Sequence, residues 1–260
     1  MQLQNKVAAI TGAGSGIGRA TALLMAENGA KVGAIDWKIE AAKQAVAEIR
    51  QRGGEALPVV ADVSNPAQME QAYQDIIGAF GRIDIVFANA GINGVWAPIE
   101  DLTLEEWNRV IDINLTGTFL TVKYAVPHLK KQGGSVIINS SINGTRNFSK
   151  SGATAYCCTK AAQVTFAKMT ALELAKHHIR VNAVCPGAII TNIHNDTQYR
   201  NIEVIQEPAV YPKGDIPLTH GYAGSSNEVA QAVLFLASEA ANFISGTELW
   251  IDGAQSLLKG

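Results

Sequence analysis

Short runs of β-branched and other apolar residues alternate along the chain with longer stretches whose apolar positions recur every three or four residues. The runs at 7–10, 31–35, 56–60, 83–88, 135–139, 180–184 and 249–251 predict seven strands. Between them, 18–28, 39–51, 66–80, 104–129, 156–177 and 227–237 predict helices, several closed by glycine. Strand and helix in alternation imply right-handed crossovers, so the expected fold is α/β: a doubly wound, seven-stranded parallel sheet with helices on both faces. No repeat or low-complexity linker breaks the alternation, and residues 1–260 read as a single domain. The stretch 188–226 is the exception: Asn, Asp, Gln, Pro and Gly follow one another there without a period. A loop that long inside a compact unit usually has a function, and it is expected to be a lid over a substrate.

Composition narrows the class of partner. Basic and acidic residues number 21 and 23 and are scattered, giving a net charge of −2 and no basic stripe for nucleic acid. No apolar run reaches the roughly 18 residues that span a bilayer, and the start MQLQNKVAAITGAG lacks the basic and apolar regions of a signal peptide. The chain is expected to be cytoplasmic and not membrane-bound. Cys157, Cys158 and Cys185 form neither a disulfide framework nor a metal set and read as structural thiols.

Candidate chemistry begins right after the first strand, at Thr11-Gly12-Ala13-Gly14-Ser15-Gly16-Ile17-Gly18. Glycines there let the backbone turn sharply and let a pyrophosphate approach the N-terminus of the next helix, where free N–H groups favour an anion. The spacing is T-G-x-x-x-G-x-G rather than G-x-G-x-x-G, yet it serves the same purpose in a Rossmann-type, dinucleotide-binding domain. Asp36 closes the second strand, where a carboxylate accepts hydrogen bonds from the adenosine ribose. A 2′-phosphate would meet a like charge, so NAD is favoured over NADP, with Lys38 nearby able to offset part of the repulsion.

Tyr156 and Lys160 lie four apart in a helical run and share one face. An ammonium beside a phenol favours the phenolate and makes the pair suited to proton transfer. Taken together these residues resemble the classical short-chain dehydrogenase/reductase family over essentially the whole chain. The resemblance implies that Gly12, Ser15, Gly16, Ile17 and Gly18 hold the pyrophosphate and that Asp62 and Val63 contact adenine. It implies that Asn89, Ala90 and Gly91 pack beneath the adenine and ribose, and that Pro186, Gly187, Ile189 and Thr191 fix the carboxamide of the nicotinamide. It further implies a catalytic tetrad of Asn114, Ser141, Tyr156 and Lys160. Ser141 would hold the substrate oxygen and Tyr156 would exchange its proton. Lys160 would bind the nicotinamide ribose and lower the tyrosine pKa, and Asn114 would hold a water joining the lysine to solvent.

Two departures from the family pattern stand out: Ser141 and Tyr156 are further apart than usual, and Asp252-Gly253-Ala254 replaces D-G-G. The substrate rim is expected from 93–96, 143–151 and the lid residues His194, Asn195, Asp196, Gln198, Tyr199 and Arg200. Its polarity favours a small hydroxylated substrate such as a sugar, polyol or hydroxy acid, with His194 a possible ligand and no metal. Surplus apolar residues on the helices at 104–129 and 156–177, with the family habit of pairing them, predict a homotetramer. The rival readings are an NADPH-dependent carbonyl or 3-oxoacyl reductase and a non-catalytic NAD sensor.

Overall fold

The computed structural model describes residues 1–207 and 209–258. In chain order its strands are β1 (Val7–Thr11), β2 (Lys31–Asp36), β3 (Ala56–Val60), β4 (Ile85–Ala88), β5 (Val95–Trp96), β6 (Gly134–Asn139), β7 (Ile179–Pro186), β8 (Gln198–Tyr199) and β9 (Glu248–Ile251). The helices are α1 (Gly16–Glu27), α2 (Ile39–Gln51), α3 (Pro66–Phe80), α4 (Leu104–Val110), α5 (Gly117–Leu129), α6 (Thr154–Leu174) and α7 (Ser226–Ala237). The seven runs read from the sequence form one parallel sheet in the order β3-β2-β1-β4-β6-β7-β9.

Both faces of that sheet are covered, which is why its strands read as nearly unbroken apolar runs. Successive residues point to opposite layers. Ala8, Ile10, Val32 and Ala34 pack with Met25 of α1, Ile49 of α2 and Val233 of α7. Val7, Ala9 and Ile35 pack with Tyr73 of α3, Leu129 of α5 and Val164 of α6. Local signals set the helix ends. The Asn65 side chain accepts the Gln68 N–H ahead of Pro66, α3 stops at Gly81 with φ 80°, and Thr103 and Glu106 form a reciprocal capping box on α4.

Strand order reverses between β1 and β4, and that switch leaves a crevice at the carboxyl ends of the two strands. Polar side chains stitch those ends together. Thr11 Oγ1 accepts the N–H groups of Asn89 (3.0 Å) and Ala90 (3.2 Å), and Asn89 Nδ2 donates to the Thr11 carbonyl (2.9 Å). Asn139 Nδ2, at the end of β6, donates in turn to Asn89 Oδ1 (2.9 Å).

Two elements differ from the sequence expectation. The run 104–129 is not one α-helix, because a π-helical stretch, Ile111–Thr116, separates α4 from α5. The carbonyl of Asn114 accepts Thr118 Oγ1 (2.7 Å) and Gln163 Nε2 (2.7 Å), side-chain donors that local periodicity does not reveal. The stretch 188–226 is also less irregular than its composition suggests. It contains the 3₁₀ turns Asn192–Asp196, Ile202–Val204 and Pro217–Thr219, and β8 pairs in parallel with β5. Tertiary contacts impose that order: Asn93 Nδ2 donates to Thr197 Oγ1 (2.8 Å), the Trp96 and Tyr199 rings meet edge to face at 5.7 Å, and Arg200 pairs with Glu106 at 2.6 Å.

Candidate active site

The glycine turn after β1 has the backbone that its residues predict. Gly12 and Gly16 sit at φ 65° and 51°, in the left-handed region. A methyl group at Gly18 would lie 2.1 Å from the Gly12 carbonyl oxygen, and one at Gly14 only 2.5 Å from Ala41 Cβ and 2.8 Å from Asp36 Oδ2. Ser15, extended at φ −151°, precedes α1 without a side-chain cap, so Ser15 Oγ leaves the first N–H groups of the helix to another acceptor. Asp36 is 8% exposed and held by backbone: Gly14 N–H donates to Oδ2 (3.0 Å) and Lys38 N–H to Oδ1 (2.9 Å). The Lys38 ammonium lies over the Trp37 ring, 4.7 Å from its centroid.

The other expected cofactor residues lie at the carboxyl ends of β3, β4 and β7 or just beyond them. Thr191 stands over the turn, its Cβ and Cγ2 3.3 Å from where a Gly16 side chain would begin. Its segment is fixed by the Gly187 N–H, which donates to the Ile251 carbonyl (3.0 Å) beyond Pro186, and by the pairing of Ile189 with Gly224. Ile17 and Ile189 pack against one apolar cluster. Val63 is buried beneath Gly117, whereas the exposed Asp62 accepts two bonds from Ser64. Gly91 lies where two polar groups converge, since a methyl there would be 3.1 Å from Asn114 Oδ1 and 3.8 Å from Lys160 Nζ.

Ser141, Tyr156 and Lys160 come together beyond β6. The Tyr156 phenol is in hydrogen-bonding contact with Ser141, whose Oγ also accepts the Asn143 N–H (3.1 Å). Lys160 Nζ is 5.4 Å from the Tyr156 ring centroid and donates to the Asn139 carbonyl at 2.7 Å. Asn114 is fully buried. Its Oδ1 accepts the Ile92 N–H (2.8 Å), and its Nδ2 donates to the Ile92 carbonyl (2.9 Å) and Thr159 Oγ1 (3.1 Å). Sequence reasoning missed Asn139, Thr159 and Gln163. The two on α6 could have been found, since they follow Tyr156 and Lys160 by one helical turn.

Burial dominates the electrostatics. It pushes the Tyr156 phenol up to about 12, against a downward pull from the Ser141 hydrogen bond and small upward contributions from the Cys157 and Cys185 thiols. It brings the Lys160 ammonium down to about 8, Cys185 opposing weakly. The lowering of the tyrosine that Lys160 was expected to supply is not among these influences, and desolvation sets the direction.

Of the two departures from the family pattern, the longer 141–156 connection is pinned at Gly144. Its φ of 84° brings the backbone against the Cys157 carbonyl, 2.2 Å from an added Cβ. Ala254 adopts φ 70° where glycine is usual, its N–H donating to Asp252 Oδ1 (3.1 Å). On the rim, a cavity of about 490 Å³ is walled by Trp96, Arg146, Lys150, Tyr199, Glu207 and Asp215 among others; it borders the Ser141 turn and does not include Tyr156. The His194 side chain and Pro208 lie outside the described residues. Among the described residues no cluster of metal-ligating side chains occurs, and no helix is long and apolar enough to cross a membrane.

A family model described as enoyl-(acyl carrier protein) reductase matches residues 12–254. Cyclohexanol dehydrogenase of Acinetobacter sp. (strain SE19) is 37% identical over 257 residues, 97% of this chain and 96% of that protein. A 3-ketoacyl-ACP reductase from Sinorhizobium meliloti 1021 superposes with a TM-score of 0.94 at 53% identity, covering 97% of this chain and 100% of the other. A 3-ketoacyl-(acyl-carrier-protein) reductase from Brucella melitensis, solved with NADH, superposes with a TM-score of 0.86 at 32% identity, covering 98% and 99%.

The buried lysine makes a prediction about stability. A fall from 10.5 to about 8 means that folding disfavours the charged form, by about 3 kcal/mol at pH 7. That cost is present in full below pH 8 and fades as pH rises toward 10.5, where the unfolded lysine also loses its proton. Lys160→Met should therefore match or exceed the wild type in urea denaturation at pH 7, and its relative advantage should shrink between pH 8 and 10. A difference independent of pH contradicts this assignment.

Proposed function

The chain belongs to the classical short-chain dehydrogenase/reductase family, and on that footing we propose that it is an NAD-dependent enzyme moving a hydride between the cofactor and a carbonyl or secondary alcohol of a small polar substrate. Family membership carries the coarser statement, an oxidoreductase acting on CH–OH groups with a nicotinamide cofactor. The observation that supports the finer one is the buried contact of Tyr156 with Ser141, one helical turn from Lys160 and at the mouth of the glycine-lined crevice.

The turn fits a dinucleotide: side chains at Gly14 and Gly18 would collide with Asp36 and with the Gly12 carbonyl, so only glycine lets the turn close on the helix N-terminus, and each Asp36 oxygen keeps a lone pair after accepting one backbone N–H. Gly12, Ser15, Gly16, Ile17 and Gly18 would hold the pyrophosphate, with Asp36 on the ribose and Asp62, Val63, Asn89, Ala90 and Gly91 around the adenosine half. Pro186, Gly187, Ile189 and Thr191 would hold the nicotinamide end. When bound, the nicotinamide supplies or accepts the hydride. Tyr156 gives its phenolic proton to the carbonyl oxygen in reduction and, as the phenolate, takes the alcohol proton in oxidation, while the Ser141 hydroxyl holds that oxygen. Lys160, still largely charged at pH 7, favours the phenolate whenever Tyr156 must act as a base.

NAD is favoured because a carboxylate fixed by two backbone N–H groups stands where a 2′-phosphate would lie, and Lys38 is drawn onto Trp37. The rim cavity mixes cations (Arg146, Lys150) with carboxylates (Glu207, Asp215), a lining that suits a neutral, hydroxylated molecule held under the 188–226 lid. A second reading, a 3-oxoacyl reductase, draws on the likeness to the Sinorhizobium 3-ketoacyl-ACP reductase. Exposed Phe119, Met169 and Leu172 on α5 and α6 favour pairing of copies into a homotetramer.

Thermal unfolding in matched series of NAD and NADP tests the cofactor assignment, since a ligand at 100 times its Kd stabilises by about 2.7 kcal/mol. A shift with NAD that Asp36→Ala weakens is expected; a shift with NADP alone overturns it. Sedimentation of a tetramer is expected at micromolar concentration, and a monomer contradicts the assembly.

A further inference from the structure

The strand pair β5–β8 is held from outside itself. Each strand contributes two residues and the two run parallel, with Gln198 N–H donating to the Gly94 carbonyl (3.2 Å) and Arg200 N–H to the Trp96 carbonyl (3.0 Å). Strands this short are not stable as an isolated pair, and parallel pairing is the weaker kind. Side chains therefore supply the hold. Asn93, 4% exposed, donates through Nδ2 to Thr197 Oγ1 (2.8 Å), and that hydroxyl donates in turn to the Ile193 carbonyl (3.2 Å). Arg200 pairs with the same Glu106 oxygen that accepts the Thr103 N–H, so the cap of α4 and the lid share one carboxylate. The buried Asn93 bond outranks this ion pair, since Arg200 and Glu106 are both partly exposed and such pairs contribute little.

Both ends of the pair abut catalytic segments. At one end Ile92, next to Asn93, has its N–H and its carbonyl bonded by the Asn114 side chain (2.8 and 2.9 Å). Gly94 follows at φ 72°, and a side chain there would collide with Val110 of α4, the helix that leads into the π-helical turn of Asn114. At the other end the Ala97 N–H donates to the Gly152 carbonyl (3.3 Å), just ahead of α6 and Tyr156. Ile202 packs onto that glycine so closely that an added methyl would lie 2.4 Å from its Cδ1. Trp96, Tyr199 and Ile202 all wall the rim cavity.

We propose that residues 93–97 and 197–202 form a fixed brace between the Asn114 turn and the start of α6, and that Asn93 is the positioning residue that holds it together. The role rests on the chemistry proposed above at Tyr156. The brace gives the substrate cavity a wall that stands before any ligand arrives. A substrate whose reacting oxygen sits at Ser141 and Tyr156 meets Trp96 and Tyr199 already in place, their rings edge to face at 5.7 Å, so little ordering is left to binding. The part of the expected lid from Thr197 to Ile202 is thus wall rather than lid. Without the Asn93 bond the substrate itself must order this segment. That burden falls equally on the bound ground state and on the transition state, so it raises KM and leaves kcat.

Amide hydrogen exchange of the intact protein, free of NAD and substrate, reads the brace directly at the Gln198 and Arg200 N–H groups. Both are expected to be protected in the wild type. Asn93→Ala should speed their exchange by about tenfold, the weight of a buried hydrogen bond. Thr197→Val, nearly isosteric, should do the same and covers the case in which the alanine variant does not fold. Because each change removes the same bond, the double variant should add little to either. In both single variants the KM for xylitol or cyclohexanol is expected to rise by about five- to tenfold with kcat held, a split that loss of stability alone does not produce. Amides that exchange freely in the wild type, rates unchanged in both variants, or faster exchange with an unaltered KM each overturn the proposal. A wild type that oxidises neither alcohol counts instead against the function proposed above, and the exchange rates still decide whether the brace exists.

Discussion

An ammonium group buried at the mouth of the sheet is the constraint around which the rest of the site is arranged. Lys160 is 3% exposed and has, among the described residues, one direct hydrogen-bond acceptor, the Asn139 carbonyl. A folded chain gains nothing in stability from such a group, and strongly perturbed ionisable groups in clefts are a mark of functional sites. The surroundings are built to hold it. Ser140 Oγ donates to the Lys160 carbonyl at 2.7 Å, fixing α6 against the end of β6, and Gly91 gives way to the lysine and Asn114 together. Tyr156 and Ser141 are placed by the same helix and the same strand end.

The sheet topology makes this economical. Because order reverses between β1 and β4, the glycine turn and the Asn89–Gly91 segment face each other across one crevice, and β6 and β7 bring Ser141 and the 186–191 segment to its far side. Thr11, Asn89 and Asn139 bond the ends of β1, β4 and β6 directly, so Asn139 both closes the crevice and positions Lys160. A change at that asparagine would be felt at the cofactor turn and at the proton-transfer pair alike.

Much of this was legible in the sequence. Strands buried on both faces announce themselves as apolar runs, the periodicity of α2 was enough to bound it, and α3 was bounded by the local signals Asn65, Pro66 and Gly81. The glycine turn and Asp36 were legible because backbone conformation and a strand-end carboxylate follow from residue type. What stayed hidden depends on partners distant in sequence. The π-helical turn at Asn114 is held by Gln163, 49 residues away, and the β5–β8 pair by Asn93 and Thr197, 104 residues apart. The raised Tyr156 pKa is equally a product of tertiary burial: spacing places Lys160 beside the phenol but says nothing of how dry the site is.

The account stands or falls on Tyr156 as the group that exchanges a proton while hydride moves. The decisive measurement is initial-rate formation of NADH by absorbance at 340 nm, with polyols and cyclic alcohols as substrates, for the wild type and Tyr156→Phe, alongside the NAD dissociation constant of each. The account predicts turnover by the wild type and loss of about 10²–10⁴-fold in the variant, with NAD affinity nearly unchanged. A phenylalanine variant that turns over as well as the wild type would contradict it, and so would a wild type that binds NAD yet oxidises no alcohol and reduces no ketone.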